Sequence, residues 1–289
     1  MIRVKRGTEP TALARARDKK LKSAVAAHAS HGPGSKELAA ALTGYDSPGV
    51  KTALFLAQNK ECVWCERRRD LSSSPIEHYR PKDGAWRHRR DAAAKHVDRG
   101  HYWWLTWSWS NLYFACARCN DKGHKANFFR LAPGTSALAA PASTASHPLA
   151  QTYFNLAAET PLLVDPGSED PMDHIEWLPV DRTQPRDLWT WSPKGRTQKG
   201  DETIFDLKLT ELADEVGDAI RTGVLRGIEE VEDLLKDGKL VRARKRWNTL
   251  LHDELFPEAS LTAAKWYALE AWMPAATRTR HGLTHPSRP

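Results

Sequence analysis

The chain has 289 residues, 40% hydrophobic and 27% charged, with a formal net charge of +7. That is enough chain for one large core or two small ones, in an ordinary soluble composition, and no apolar run approaches the length that spans a bilayer. The first 130 residues hold 25 Lys/Arg against 12 Asp/Glu, a balance of +13, and the remaining 159 carry −6. A basic half beside an acidic half suits a polyanion-binding face on one part of the molecule, and suits equally a solvated helical surface.

The N-terminus, "MIRVKRGTEPTALARARDKK", is basic but lacks the apolar stretch of a secretory signal, so a cytoplasmic protein is expected. Residues 8–30 are rich in Ala, Leu and Lys/Arg and predict a helix, which "HGPGS" breaks. "SKELAAALTGY" predicts a second helix with Ser35 as its N-cap, and "SPGVKTALFLAQNK" a third with Pro48 near its start. Residues 1–59 thus form a basic helical region. Residues 60–131 form a separate module: a cysteine pair, a hairpin-like segment, a basic insertion over 84–101 that is helical or looped, and an aromatic run into a second cysteine pair. Residues 132–150, rich in Ala, Ser and Pro, are a linker or loop. Over 151–273, "TPLLVDP", "WLPV" and "LWTW" predict short strands, followed by helical patterns over 201–236 and 239–272; the tail 274–289 is expected to be disordered. The fold class expected is mainly α, formally α+β, with a small β-containing zinc module embedded early in the chain.

All four cysteines fall in two C-x-x-C pairs, "CVWC" (Cys62, Cys65) and "CARC" (Cys116, Cys119), separated by 50 residues. Without a secretion signal, disulfides are disfavoured, and four thiolates suit structural tetrahedral Zn²⁺. A redox dithiol or simple buried cysteines are the alternatives. Zinc at this position would tie the two pairs together and fix their neighbours in space.

Those neighbours carry the chemistry. Glu77 and His78 follow the first pair, and Asn120 follows the last cysteine. A carboxylate and an amide oxygen are hard donors suited to Mg²⁺ or Mn²⁺. A histidine beside such a metal could deprotonate water at neutral pH. Arg80, Lys82 and Lys125 are nearby cations for phosphate.

"CVWC … IEHYRPK … YWWLTWSWSNL … CARCN … K" resembles the HNH, or ββα-metal, endonucleases, in the branch where two C-x-x-C pairs flank the nuclease motif. Within that branch it is similar to the nuclease subunit of Septu anti-phage systems, the PtuB family. The resemblance is strong over residues 60–130 and weak to about residue 210. It implies His78 as general base, Asn111 as the brace of the loop and base, and Glu77 and Asn120 as ligands of a catalytic divalent ion. It implies cleavage of a nucleic-acid phosphodiester, DNA first and RNA open, leaving 5′-phosphate and 3′-hydroxyl ends, and a partner ATPase of the PtuA type. Phe129 stands where the family's usual proline follows a phenylalanine, and His124 is a further metal or supporting candidate.

Each feature also has a plainer reading. The Tyr102, Trp103, Trp104, Trp107, Trp109 run could stack on bases, but aromatic clusters more often pack a core. Arg87, Arg89 and Arg90 with His88 could touch phosphates or sit on a solvated insertion. Asp165, Glu169, Asp170 and Asp173 match no cation loop and read as surface. The competing functions are a non-catalytic zinc module that binds nucleic acid or protein, and a free-standing restriction-type or RNA-cleaving nuclease. A zinc nucleobase deaminase is disfavoured, because beside the cysteines the order is Glu77-His78 where that chemistry uses His-x-Glu, and Ala115, where it uses Pro, precedes the second pair.

Overall fold

The computed structural model describes residues 1–100, 102–138, 159–256 and 259–289. The chain is α+β and divides into two compact units. One, the knuckle unit, comprises Val4–Trp64 and Arg69–Ser168; the other, the helical unit, comprises Met1–Arg3, Cys65–Arg68 and Glu169–Pro289.

The knuckle unit opens with three helices: α1 (Thr11–His31), α2 (Lys36–Ala41) and α3 (Pro48–Ala57). Helix α1 ends at Gly32, which takes the left-handed φ of +79° that a side chain would resist. The Ser35 hydroxyl accepts from Leu38 N–H at 3.2 Å, the expected cap of α2. Pro48 opens α3, where its missing N–H costs nothing. Leu13, Leu21 and Ala24 of α1 and Val50 and Leu54 of α3 are buried. Phe55 meets Phe114 edge to face, with ring centroids 5.1 Å apart. The expected boundary near residue 60 is therefore absent, because the helices share a core with the cysteine segment.

Four short strands follow among the described residues. β1 (Ile76–His78) pairs antiparallel with β4 (Leu112–Phe114), placing Ile76 opposite Phe114, Glu77 opposite Tyr113 and His78 opposite Leu112. A four-residue helix, α4 (Ala117–Asn120), follows β4 directly. The insertion folds as a hairpin of β2 (Ala85–Trp86) and β3 (Val97–Asp98) rather than as a helix. Gly84 turns into it at φ +79°, where an added Cβ would lie 3.1 Å from the Asp98 carbonyl oxygen. Arg87 and Arg90 are structural in this hairpin. Arg87 donates to Phe129 O at 2.8 Å and Tyr102 Oη at 3.1 Å, and Arg90 donates to the Lys122 and His124 carbonyls and lies over the Phe128 ring.

The aromatic run is core. Tyr102, Trp103, Trp104, Trp107 and Trp109 are all buried, and the indoles of Trp107 and Trp109 donate to Thr43 O and Gly7 O. Among "TPLLVDP", expected as a strand, the structure has a single bridge, Leu131 to Pro161, in an otherwise irregular but buried segment. Pro161 and Pro166 lack the N–H groups that a ladder needs. Within the expected linker, residues 139–150 lie outside the described residues.

The helical unit starts from the antiparallel hairpin of β5 (Ile175–Val180) and β6 (Thr190–Gly195), the two strands expected from "WLPV" and "LWTW". Ile175 and Trp177 turn into the core on alternate positions. Among the described residues, six α-helices follow: α5 (Gln198–Leu207), α6 (Ala213–Ala219), α7 (Arg226–Lys236), α8 (Leu240–Leu255), α9 (Thr262–Trp272) and α10 (Ala275–His281). The tail expected to be disordered instead carries α10. Arg278 is 2% exposed and donates to Met273 O at 2.6 Å, Leu283 is buried, and Trp247 donates to Thr284 O at 2.7 Å. Among the acids read as surface, Glu169 pairs with Lys199, and Asp170 and Asp173 with Arg288.

Candidate functional site

The second cysteine pair is brought to the first by β4. Val63 N–H donates to Phe114 O at 3.1 Å. The buried Gln58 amide pairs with the same residue, accepting from Phe114 N–H at 2.8 Å and donating to its carbonyl at 2.7 Å. Cys62, Cys65, Cys116 and Cys119 are buried, are not disulfide-bonded, and place their Sγ atoms within 4.8 Å of one another. Four thiolates around one Zn²⁺ at about 2.3 Å bonds stand a little under 4 Å apart. The donor set and its spacing therefore fit zinc.

Glu77 and His78 lie on β1, one residue apart and both buried, at 3% and 7% exposure. The His78 Nε2 is 3.1 Å from Thr106 O. A carbonyl only accepts, so Nε2 carries the proton and Nδ1 the lone pair. The Tyr45 ring meets the imidazole edge-on, with centroids 4.5 Å apart, and Lys82 Nζ lies 5.5 Å from the centre of that Tyr45 ring. Burial, with the charge of Lys82 next, pushes the His78 imidazole down to about 3, so it is neutral at pH 7. Burial also pushes Lys82 below the ordinary lysine range.

Asn111 holds the turn after His78. Its Oδ1 accepts from Arg80 N–H at 2.8 Å, and its Nδ2 donates to Arg80 O at 3.0 Å and Leu105 O at 3.3 Å. Its own carbonyl accepts from Tyr79 N–H at 2.9 Å. Asn120 ends α4 half-buried, its N–H donating to Cys116 O at 3.1 Å. His124 is buried with Nδ1 3.0 Å from the Asp121 carboxylate.

Two expected phosphate contacts have other partners. Arg80 is 8% exposed, and its Nε donates to Glu159 at 2.7 Å. Glu159 also accepts from Tyr102 Oη and from Leu138 N–H at 3.2 Å. Lys125 is fully buried; its ammonium pairs with the Glu77 carboxylate and donates to His78 O at 2.5 Å and Ala126 O at 3.2 Å. Burial pushes the Glu77 carboxyl up to about 7 against the downward pull of Lys125. Lys82, half-exposed, is the expected phosphate contact that stays at the surface.

Mg²⁺ and Mn²⁺ keep several water ligands and need open donor oxygens. The Glu77 carboxylate is enclosed and already carries an ammonium, so it does not offer a divalent ion an open ligand in this arrangement. A cleft of about 90 Å³ lies beside Asn111, walled by Arg6, Arg80, Ser108, Ser110, Asn111 and Asp165, and neither Glu77 nor His78 lines it.

Sequence reasoning missed Tyr45, the Thr106 carbonyl and Glu159. Tyr45 sits in a short loop between helices, with no local motif. Glu159 is 79 residues from its partner Arg80, and only folding joins them.

The molecule is thus an α+β protein in which a four-thiol cluster flanks a buried acid–histidine pair. Its similarities lie in one direction. It is 28% identical over 197 residues, 67% of this chain and 57% of the relative, to the Septu protein PtuB of Bacillus mycoides (strain KBAB4). It is 26% identical over 194 residues, 66% of this chain and 52% of the relative, to the Septu protein PtuB of Bacillus thuringiensis. The resemblance to PtuB read from the motifs is supported by both. The chain matches little more than half the length of these relatives. No family model matches the sequence, and no solved structure does. Among the described residues, no helix is long and apolar enough to cross a membrane.

Proposed function

We propose that this chain is an HNH-type endonuclease, a phosphodiester hydrolase acting as the nuclease component of an anti-phage defence assembly. The observation that carries the reading is His78: a neutral imidazole with its proton committed to Thr106 O and its lone pair on Nδ1. It sits beside Glu77 on a strand whose partner strand runs directly into the second cysteine pair. The strand–strand–helix order of β1, β4 and α4 supports a ββα nuclease module.

In this reading, His78 Nδ1 takes a proton from water as the water attacks phosphorus, the bond to the 3′ oxygen breaks with its electron pair leaving on that oxygen, and the oxygen takes a proton from solvent, giving 5′-phosphate and 3′-hydroxyl ends. An imidazole pushed this far down is a weak base, and an arriving phosphate anion raises it. Asn111 and Thr106 orient the ring, and Lys82 meets the phosphate backbone. The similarity to PtuB supports a Septu-type partner ATPase, for which the net acidic second half is the docking candidate.

A second reading, a non-catalytic zinc module that binds nucleic acid, is favoured by one observation: Lys125 closes Glu77. The two readings separate on supercoiled plasmid and single-stranded RNA with Mg²⁺ or Mn²⁺, with and without a candidate partner ATPase. Nuclease chemistry predicts cleavage that His78→Ala lowers by about 10²–10⁴-fold with zinc and fold retained. Cleavage undiminished in His78→Ala removes His78 as base, and no cleavage by either protein in any combination favours the binding module.

A further inference from the structure

We propose that Lys125 is the resident cation of Glu77: its ammonium holds that carboxylate, and a divalent metal ion gains Glu77 only by expelling it. The inference deepens the nuclease reading and rests on it only for naming the competing ion.

The geometry is that of a built cation site. An ammonium has three N–H donors and no acceptor. Those of Lys125 meet three acceptors: the Glu77 carboxylate, the His78 carbonyl at 2.5 Å and the Ala126 carbonyl at 3.2 Å. Both charged side chains are withdrawn from water, with Lys125 at 0% and Glu77 at 3% exposure. Withdrawing such a pair from water costs free energy that close pairing offsets, and on the lysine side the two backbone carbonyls take the remaining N–H groups.

The backbone around Lys125 is held for this purpose. Lys125 N–H donates to Cys119 O at 3.1 Å, and its carbonyl accepts from Phe128 N–H at 2.8 Å. Ala126 takes the left-handed φ of +39°, unfavourable for a residue with a side chain, in the turn that presents its carbonyl to the ammonium. The turn is thus tied through Cys119 to the four-thiol cluster, and the ammonium couples that cluster to the backbone of β1. A divalent ion added beside the ammonium would meet like charge in a poorly screened site withdrawn from water. Lys125 therefore acts as an internal counter-ion that positions β1 and shuts Glu77.

The test is Mn²⁺ binding to the zinc-loaded full chain without nucleic acid, followed by the electron paramagnetic resonance of free Mn²⁺. Wild type and Glu77→Gln are expected to bind Mn²⁺ equally weakly. Lys125→Met is expected to gain a site at least about tenfold tighter, lost again in the Lys125→Met/Glu77→Gln double variant. Wild-type binding that disappears in Glu77→Gln overturns the proposal, as does a Lys125→Met protein that gains no Glu77-dependent site. Zinc content and circular dichroism report whether Lys125→Met is folded. If it is not, Lys125→Gln takes its place in the same comparison, and wild type against Glu77→Gln decides without either variant. These outcomes do not depend on whether His78 cleaves nucleic acid, so the two readings fail separately.

Discussion

The side-chain amide of Asn111 closes on both polar groups of the Arg80 backbone, accepting from its N–H at 2.8 Å and donating to its C=O at 3.0 Å. The contact imitates one rung of a β-ladder and extends the β1–β4 pairing beyond its last residue, His78. At the other end of the sheet, Gln58 makes the same two-way contact with Phe114. A three-residue strand pair is thereby held by side-chain amides at both ends.

Asn111→Ala leaves the Arg80 N–H and C=O without these partners, at a cost of roughly 1–3 kcal/mol for each group left unpaired. Asn111→Asp is expected not to rescue it, because a carboxylate oxygen would then face the Arg80 and Leu105 carbonyls. Urea denaturation of the zinc-loaded proteins checks both, and an Asp variant as stable as wild type would show that the amide N–H groups contribute nothing.

Arg80 and Lys82, two residues apart, are expected to separate in their effects. Arg80→Ala leaves the buried Glu159 without its ion-pair partner and should destabilise the chain by about 3–5 kcal/mol. Lys82→Ala should leave stability nearly unchanged and flatten the salt dependence of nucleic-acid binding by about one unit of log–log slope. Denaturation midpoints and binding isotherms at several salt concentrations read the two effects independently. A stable Arg80→Ala protein with a flattened salt slope would return Arg80 to the phosphate.

One zinc ion per chain is expected, held by the four thiols. Its removal by a strong chelator, or Cys116→Ser, should unfold the knuckle unit, since the strands it joins are only three residues long. Elemental analysis with thiol counting checks the stoichiometry. A metal-free chain with unchanged thermal unfolding would mean that the cluster is merely buried cysteine.

His78 makes stability depend on pH with a definite sign. Its imidazole is lowered to about 3 in the folded chain and reverts to about 6.5 when unfolded. Its contribution is thus complete above about pH 6.5 and is lost as pH falls toward 3, because the unfolded chain takes up a proton that the folded chain refuses. Glu77, raised to about 7, runs the other way: its protonated form is favoured in the fold as pH falls from 7 toward 4.5. Comparing wild type with His78→Gln isolates the imidazole, and their stability difference should change by about 2 kcal/mol between pH 7 and pH 5. A pH-independent difference would mean that His78 titrates normally in the fold.

The sequence by itself determined the local features: the start of α2 at Ser35 and of α3 at Pro48, the strands β5 and β6, the two C-x-x-C pairs, and the pairing of an acid with a histidine beside them. Each rests on neighbours in the chain, whether a cap, a fixed φ, an alternating pattern or a C-x-x-C spacing. Only the tertiary structure decided what the charged residues do. Arg80 and Lys125 look like free cations in sequence, yet one is consumed by Glu159 and the other by Glu77. Arg278 and Leu283 likewise order a tail whose composition looks disordered. Burial converts a phosphate-seeking cation into an internal counter-ion, because a charge removed from water must find its partner inside the protein. That partner can lie anywhere along the chain, so no local pattern announces it.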